Sequence, residues 1–382
     1  MITIYGNRNQ AVVYTTANEE TAIDQSTRGQ IQSMCDLEPL EGSNIRIMPD
    51  VHAGKLCPVG FTATVGNKIM PALTGGDIGC GVTMVRIRKG LADWNRLDSV
   101  IRENVPSGGA IRRKASTFAA SSGWDPSELV CQRSIRASGH DLALGTLGGG
   151  NHFIEVDGYE DEMYLTVHSG SRSLGQAVHD AYMRTGMNHL KSHGIKAPYE
   201  NTWLEGSLLE SYLRDLAVVE RYASANRMII IREILKGMKW KADDPVSSVH
   251  NCVSSDEATI REAGAAVIRK GAVSALKDQP VLIPISMSQG VIVASGKGAK
   301  EWNCSSPHGA GRILKRSQAK KTLGMEEYRR SMEGIYSSCI REDTLDESPM
   351  AYRRLEEIVQ AVDQTVEIRR ILHPLYSFKA GS

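Results

Sequence analysis

Residues 75–87 read Gly75-Gly76-Asp77-Ile78-Gly79-Cys80-Gly81-Val82-Thr83-Met84-Val85-Arg86-Ile87. A glycine cluster hands over to an apolar, partly β-branched run, so the stretch reads as a turn feeding a strand. Four of its first seven residues are glycine, which lets the backbone take positive φ and come close to a ligand. Asp77 and Cys80, three apart on that turn, could grip one cation or bridge two. The alternative is a tight turn around a buried cysteine.

Working outward, further runs bounded by turn residues read as strands: 12–16, 60–65, 163–168 (ending on His168), 281–285 and 291–294. Residues 1–150 read as strand-rich and punctuated by glycine. Between Leu208 and Trp240, Leu209, Leu213, Leu216, Val219, Tyr222 and Ile229 recur at helical spacing, as one long helix or two broken ones. A basic helix is expected over 312–333. Another is expected over 351–372, striped by Leu355, Ile358, Val359, Val362, Val366 and Ile371. Strands at both ends of the chain enclose a helical middle. The expectation is an α+β fold: a single domain over 1–382 with a helical insertion at about 174–245.

The chain has 382 residues, 41% hydrophobic, with 45 Lys/Arg against 44 Asp/Glu and a net charge of +1. That balance excludes a protein that holds nucleic acid by bulk basicity. It does not exclude a local basic surface: nine Lys/Arg and three Glu lie between Lys297 and Arg330, a local +6. Acidic runs lie elsewhere, at Glu155–Glu162 and Glu342–Glu347. No run approaches the ~20 apolar residues of a membrane span, and Met1–Gly6 does not read as a signal peptide. Seven scattered cysteines with no Cys-x-x-Cys pair argue against a disulfide framework or zinc ribbon and for a reducing cytoplasm.

Potential ligands recur inside short glycine-rich segments. Gly145-Thr146-Leu147-Gly148-Gly149-Gly150-Asn151-His152-Phe153-Ile154-Glu155 could cradle phosphate on backbone N–H groups, or be a flexible loop entering a strand. Val167-His168-Ser169-Gly170-Ser171-Arg172 could join a metal ligand to an anion-binding loop. His250 stands alone in Val249-His250-Asn251, where an ordinary core histidine is the simpler reading. Pro307-His308-Gly309-Ala310-Gly311-Arg312 exposes an imidazole with little bulk beside it, as a nucleophile requires, or forms a surface turn. Asp50-Val51-His52-Ala53-Gly54-Lys55 suits a supporting or phosphate-contacting role. His140 reads as a loop residue, His179, His189 and His193 as structural, and His373 as a turn residue before Pro374.

In this order, the Asp50–Lys55, Gly76–Gly81, Gly148–Glu155, His168–Arg172 and Pro307–Arg312 segments resemble the RtcB family of RNA ligases, over about Met48 to Lys379. The resemblance implies mixed β-sheets around a central metal and nucleotide pocket. It implies a ligase joining RNA ends that carry a 2′,3′-cyclic phosphate or 3′-phosphate to 5′-hydroxyl ends, in RNA repair or tRNA splicing, with GTP and one or two Mn²⁺ ions. By position, Asp77, Cys80, His152, His168 and His250 match the metal ligands, and His308 the histidine that is guanylylated. Asn151, His152, Phe153, Ile154, Glu155, His250, Asn251, Pro284, Ile285, Ser286, Met287, His308, Gly309, Ala310, Gly311, Tyr352 and Lys379 match the guanylate pocket. Among them, Glu155 is expected at the guanine edge. The resemblance leaves room for an activating protein partner and implies no membrane association.

The chain is somewhat shorter than common family members and departs from the family pattern in three places. The loop that commonly reads Pro-Gly-Ser-Met-Gly is Pro284-Ile285-Ser286-Met287-Ser288 here, with Val291 where a serine is common. The His-Arg-Lys-Gly-Ala motif is Ile268-Arg269-Lys270-Gly271-Ala272. Two other readings fit parts of the pattern. A dinuclear metallophosphoesterase would need the metal ligands but no nucleophilic histidine, and a noncatalytic RNA-binding protein would need neither.

Overall fold

The computed structural model describes residues 1–15, 23–135 and 139–381. The turn at 75–80 does feed a strand, Gly81–Lys89, which lies inside an eight-stranded sheet. Its order runs Lys241–Ala242, Gly81–Lys89, Glu162–Ser169, Phe153–Tyr159, Val366–Lys379, Val291–Gly296, Pro280–Pro284, and Val246–Val249 also pairs with Gly81–Lys89. A six-stranded sheet runs Ile2–Tyr5, Gln10–Val13, Ile45–His52, Val59–Thr64, Val267–Lys270, Asn251–Ser254. Its one parallel pair is Gln10–Val13 with Ile45–His52. Mainly antiparallel sheets with helices packed on them make an α+β fold.

The apolar spacing after Leu208 resolves as one helix of 33 residues, Gly206–Met238. No proline interrupts it, and its only internal glycine is Gly237, in the last turn. It is buried along much of its length because it serves two cores. Leu216, Val219 and Tyr222 join Ile45, Ile47 and Phe61 of the six-stranded sheet. Two turns further on, Ile230, Ile231 and Ile234 join Val85, Ile154 and Leu165 of the eight-stranded sheet. The helix therefore ties the two sheets together. A second helix, Arg172–Ser192, packs beside it.

Several expectations are corrected. The strand expected over 12–16 is Gln10–Val13, and Thr16 lies outside the described residues. The amino-terminal part also carries two helices, Gln25–Cys35 and Trp94–Asn104, each capped by an aspartate, Asp24 and Asp93. These N-cap side chains satisfy first-turn N–H groups. The basic helix over 312–333 is two short helices, Arg316–Thr322 and Met325–Ser331. Leu323 adopts an extended conformation before Gly324 and breaks them apart. The helix expected over 351–372 stops at Val362, and Val366–Lys379 is a strand between two neighbours. Val362 and Val366 are four apart, as in a helix, but from Val366 on the backbone pairs with Val291–Gly296 on one side and Phe153–Tyr159 on the other. His373 sits within that strand rather than in a turn.

The hairpin between Pro280–Pro284 and Val291–Gly296 shapes the loop 284–290. Gly290 closes it at φ +71°, and a Cβ there would lie 2.0 Å from the Leu372 carbonyl oxygen. Gly290→Ala should therefore cost about 1–3 kcal/mol, read as a lower urea midpoint. An unchanged midpoint would remove this constraint.

Candidate active site

The ligand-bearing segments meet at one end of the eight-stranded sheet because of strand register. Val82 pairs with His168, and His168 with Phe153, which follows His152. Val249 pairs with Gly81, and the next residue, His250, donates its backbone N–H to the Cys80 carbonyl at 2.9 Å. Four segments far apart in sequence thus deliver Cys80, His152, His168 and His250 to one place.

Their ligand atoms converge. Cys80 Sγ lies 3.5 Å from His152 Nε2 and 3.3 Å from His168 Nε2. His168 Nε2 lies 3.3 Å from His250 Nε2, and His152 Nε2 lies 3.1 Å from Asp77 Oδ2. Carbonyl oxygens only accept hydrogen bonds. His152 Nδ1 faces the Leu147 carbonyl at 2.8 Å and His168 Nδ1 the Asn151 carbonyl at 3.1 Å. Both Nδ1 atoms must therefore carry the proton, which leaves the Nε2 lone pairs for a ligand.

Electrostatics agree with that tautomer. Burial, reinforced by neighbouring imidazoles, pushes His168 and His250 well below the ordinary histidine pKa, so both are neutral donors. Burial and then the Asp77 charge push the Cys80 thiol up. Cys80, His152 and His168 have ligand atoms within 4.8 Å of one another, with Asp77 and His250 adjoining. A clustered sulfur, nitrogen and oxygen donor set fits a divalent transition metal.

A cavity of about 810 Å³ opens over this cluster. His308 enters it from the end of the strand Ser305–Pro307. Its ring lies 4.9 Å from that of His250, centre to centre. Behind it stands Asp50, fully buried in the strand Ile45–His52. Asp50 Oδ2 accepts from His308 Nδ1 at 2.7 Å and from its backbone N–H at 3.2 Å. Among the described residues, the hydrogen bonds of His308 use its backbone N–H and Nδ1, not Nε2.

Asp77, Cys80, His168 and His250, members of the donor cluster, form one side of the cavity wall. Asn151 and Asn251 flank them. Phe153 and Glu155 face in from one strand, with Lys379 from the next. Pro284, Ile285, Ser286 and Met287 form one rim, and Gly309, Ala310, Gly311 and Tyr352 another. Two expected pocket residues do not line it. His152 lies behind Cys80, and Ile154 points through the sheet into the apolar core, as the alternation of a strand requires. Val291 is likewise buried, packed with Leu282 and Leu372. His52, Lys55 and Lys270 also reach the cavity. His140 begins the short helix His140–Ala143.

The family model described as tRNA-splicing ligase RtcB matches residues 30–380. The chain belongs to the RtcB family. It is 30% identical to the RNA-splicing ligase RtcB1 of Escherichia coli, over 86% of this chain and 88% of that protein. It is 29% identical to the RNA-splicing ligase RtcB of Escherichia coli strain K12, with the same coverage. The tRNA-splicing ligase RtcB of Aeropyrum pernix is 27% identical over 85% of each chain.

In this RtcB family member, the acidic run at 342–347 is not remote from the basic segment. It folds against it. Glu347, 2% exposed, bonds Lys379 Nζ and the Tyr352 hydroxyl at 2.6 Å each, and Arg312 at 3.2 Å. Arg316 reaches both Glu347 and Asp346, and Lys320 also pairs with Asp346. Part of the local positive excess is therefore neutralised inside the fold, where it orients the cavity residues Arg312, Arg316, Tyr352 and Lys379. No motif marked Glu347. Asp50 was visible only as a neighbour of His52.

Burial would raise Glu347, but Lys379, Arg316 and Arg312 hold it down to about 2, against 4.5 unperturbed. A lowered folded-state pKa adds stability that is complete above the unfolded value and is lost as pH falls towards the folded one. The shift corresponds to about 3 kcal/mol. The stability gap between wild type and Glu347→Gln in urea should be constant above pH 5 and shrink between pH 4.5 and 2. A gap independent of pH would contradict the pairing.

Proposed function

We propose that this protein is an RNA ligase dependent on GTP and Mn²⁺, joining 3′-phosphate or 2′,3′-cyclic phosphate ends to 5′-hydroxyl ends through a guanylylated His308. One observation carries the reading. Asp50 holds a proton on Nδ1 of His308, so Nε2, the nitrogen able to offer a lone pair, is the one presented to the cavity beside a candidate metal-ligand cluster. That is the form a nitrogen nucleophile needs, held by a carboxylate that also stabilises positive charge developing on the ring.

Asp77, Cys80, His152, His168 and His250 would hold one or two Mn²⁺ ions. A bound ion would neutralise phosphate charge next to His308. His308 Nε2 attacks the α-phosphorus of GTP; a P–N bond forms and the bond to pyrophosphate breaks. An oxygen of the RNA 3′-phosphate then takes the guanylyl group from His308, breaking the P–N bond. The 5′-hydroxyl oxygen attacks the activated 3′-phosphate, loses its proton, and GMP leaves. A cyclic phosphate is first opened by water. Lys55, Lys270 and Arg316 are cations in the cavity wall suited to the phosphates.

Glu155 suits the guanine edge. It is buried, and its Oε1 has no partner. Burial and then Asp157 push its pKa up, against the pull of Lys379. The N1–H and N2–H of guanine would supply two donors that favour the carboxylate. Phe153 and Tyr352 line the same region, each with Lys379 within 6 Å of the ring. Among the described residues, no helix is long and apolar enough to cross a membrane, and the cytoplasm suits seven free cysteines.

A phosphoesterase would use the metal ligands but has no need of a buried carboxylate holding a histidine tautomer. Incubation with α-labelled GTP and Mn²⁺, followed by denaturing electrophoresis, separates the two. Wild type should carry covalent label and His308→Ala none. Equal label on both, or none on wild type, would overturn the ligase mechanism. Asp50→Asn should keep the fold and slow labelling by at least about 100-fold, whereas an unchanged rate would remove Asp50 from the reaction.

A further inference from the structure

Asn226 and Arg227 sit side by side near the middle of the long helix Gly206–Met238, and both are fully buried. Both stand on the face where the helix meets the ligand-bearing segments. Asn226 Oδ1 accepts from the backbone N–H groups of Gly145 and Thr146, at 2.7 and 3.1 Å. Its Nδ2 shares two hydrogens among Thr146 O, Ser169 Oγ and Gly170 O, at 3.0–3.1 Å. Arg227 donates from Nη1 to Gly79 O at 2.8 Å and Ser169 O at 2.9 Å, and from Nε to Thr83 Oγ1 at 2.9 Å.

These partners flank the candidate ligands. Gly79 precedes Cys80, Ser169 follows His168, and Thr146 opens the loop that leads to His152. The link to His152 is closer still. Ser169 Oγ, which accepts from Asn226, donates to the Leu147 carbonyl at 2.8 Å. That same carbonyl fixes the His152 Nδ1 proton. The turn around Asp77 is also seated on the helix. Gly79 has φ +72°, and a Cβ there would meet Ala223 Cβ at 2.9 Å and Glu220 Cα at 3.0 Å.

A core that needed only stability would not favour this pair. Burying an amide and a guanidinium is costly, and apolar residues of similar volume are often neutral or stabilising in such places. Arg227 bonds to two carbonyls and a hydroxyl, none of them a carboxylate, and its Nη2 has no hydrogen-bond partner. The pair holds three separate chain segments at fixed spacing from one rigid element, which is what a preorganised metal site requires.

We propose that Asn226 and Arg227 are positioning residues that set the spacing of the Asp77–Cys80, Thr146–His152 and His168–Gly170 segments, and through it the metal affinity of the site. This rests on the reading that these segments bind a divalent metal. It adds that metal affinity is set partly from a helix that supplies no ligand.

The test is Mn²⁺ binding to the purified full chain, followed by electron paramagnetic resonance titration, for wild type, Asn226→Asp and Arg227→Lys. Folding is checked by circular dichroism and urea unfolding. Asp215→Asn is the control. Asp215 is equally buried on the same helix but holds Val130, Cys131 and Tyr182 instead. Both clamp variants should bind Mn²⁺ about 10–100-fold more weakly, and the control should lose stability with unchanged Mn²⁺ affinity. Wild-type affinity in a folded clamp variant would overturn the inference. So would a control weakened as much as Arg227→Lys, or unfolding of both clamp variants without rescue by Mn²⁺. No Mn²⁺ binding by wild type would instead overturn the ligase reading on which the inference rests.

Discussion

The register of three antiparallel strands is the constraint on which the site depends. Gly81–Lys89, Glu162–Ser169 and Phe153–Tyr159 place Cys80, His168 and His152 at the same end of one sheet. A slip of one residue would turn His168 to the other face and leave its imidazole in the apolar core behind. The slip is opposed by that core. Val85, Ile154, Leu165 and Val167 pack there against the long helix, all buried. The apolar side of the sheet thus sets where the polar side delivers its ligands.

Buried charge completes the cavity. Asp50 is enclosed, and among the described residues His308 bonds one of its oxygens while the other has no partner. Glu347 is enclosed with three basic groups and a tyrosine hydroxyl. In each case desolvation makes the carboxylate depend on its partners, and the partners are residues that face the cavity. A side chain held in this way is fixed in position before any substrate arrives, which is how a site limits reorganisation during reaction.

Much of this was legible in the chain. The turn and strand at 75–87, the strand ending on His168 and the helix after Leu208 were all readable from glycine placement and apolar spacing. So were most residues of the cavity wall, because glycine-rich segments carrying a histidine are unusual in an ordinary core. Ile154 was misplaced because a motif read as a continuous string ignores the alternation of a strand. The segment after Val362 was misread because its apolar residues fit two periods, and only pairing with Val291–Gly296 decides between them. The charge excess at 297–330 looked like open surface because its partners, Asp346 and Glu347, lie beyond a further helix and turn.

The sequence by itself determined the chemistry on offer: which donors exist, that they sit in short glycine-rich segments, and that one histidine stands clear of bulky neighbours. Those properties are local, set by side-chain type and by the conformations glycine permits. Only the tertiary structure decided which groups act together. Asp50 and His308 are 258 positions apart, and Asn226 lies some 80 positions from Thr146 and 57 from Ser169. Hydrogen bonds over such separations leave no periodic trace in a chain, because they depend on how two sheets close around one helix.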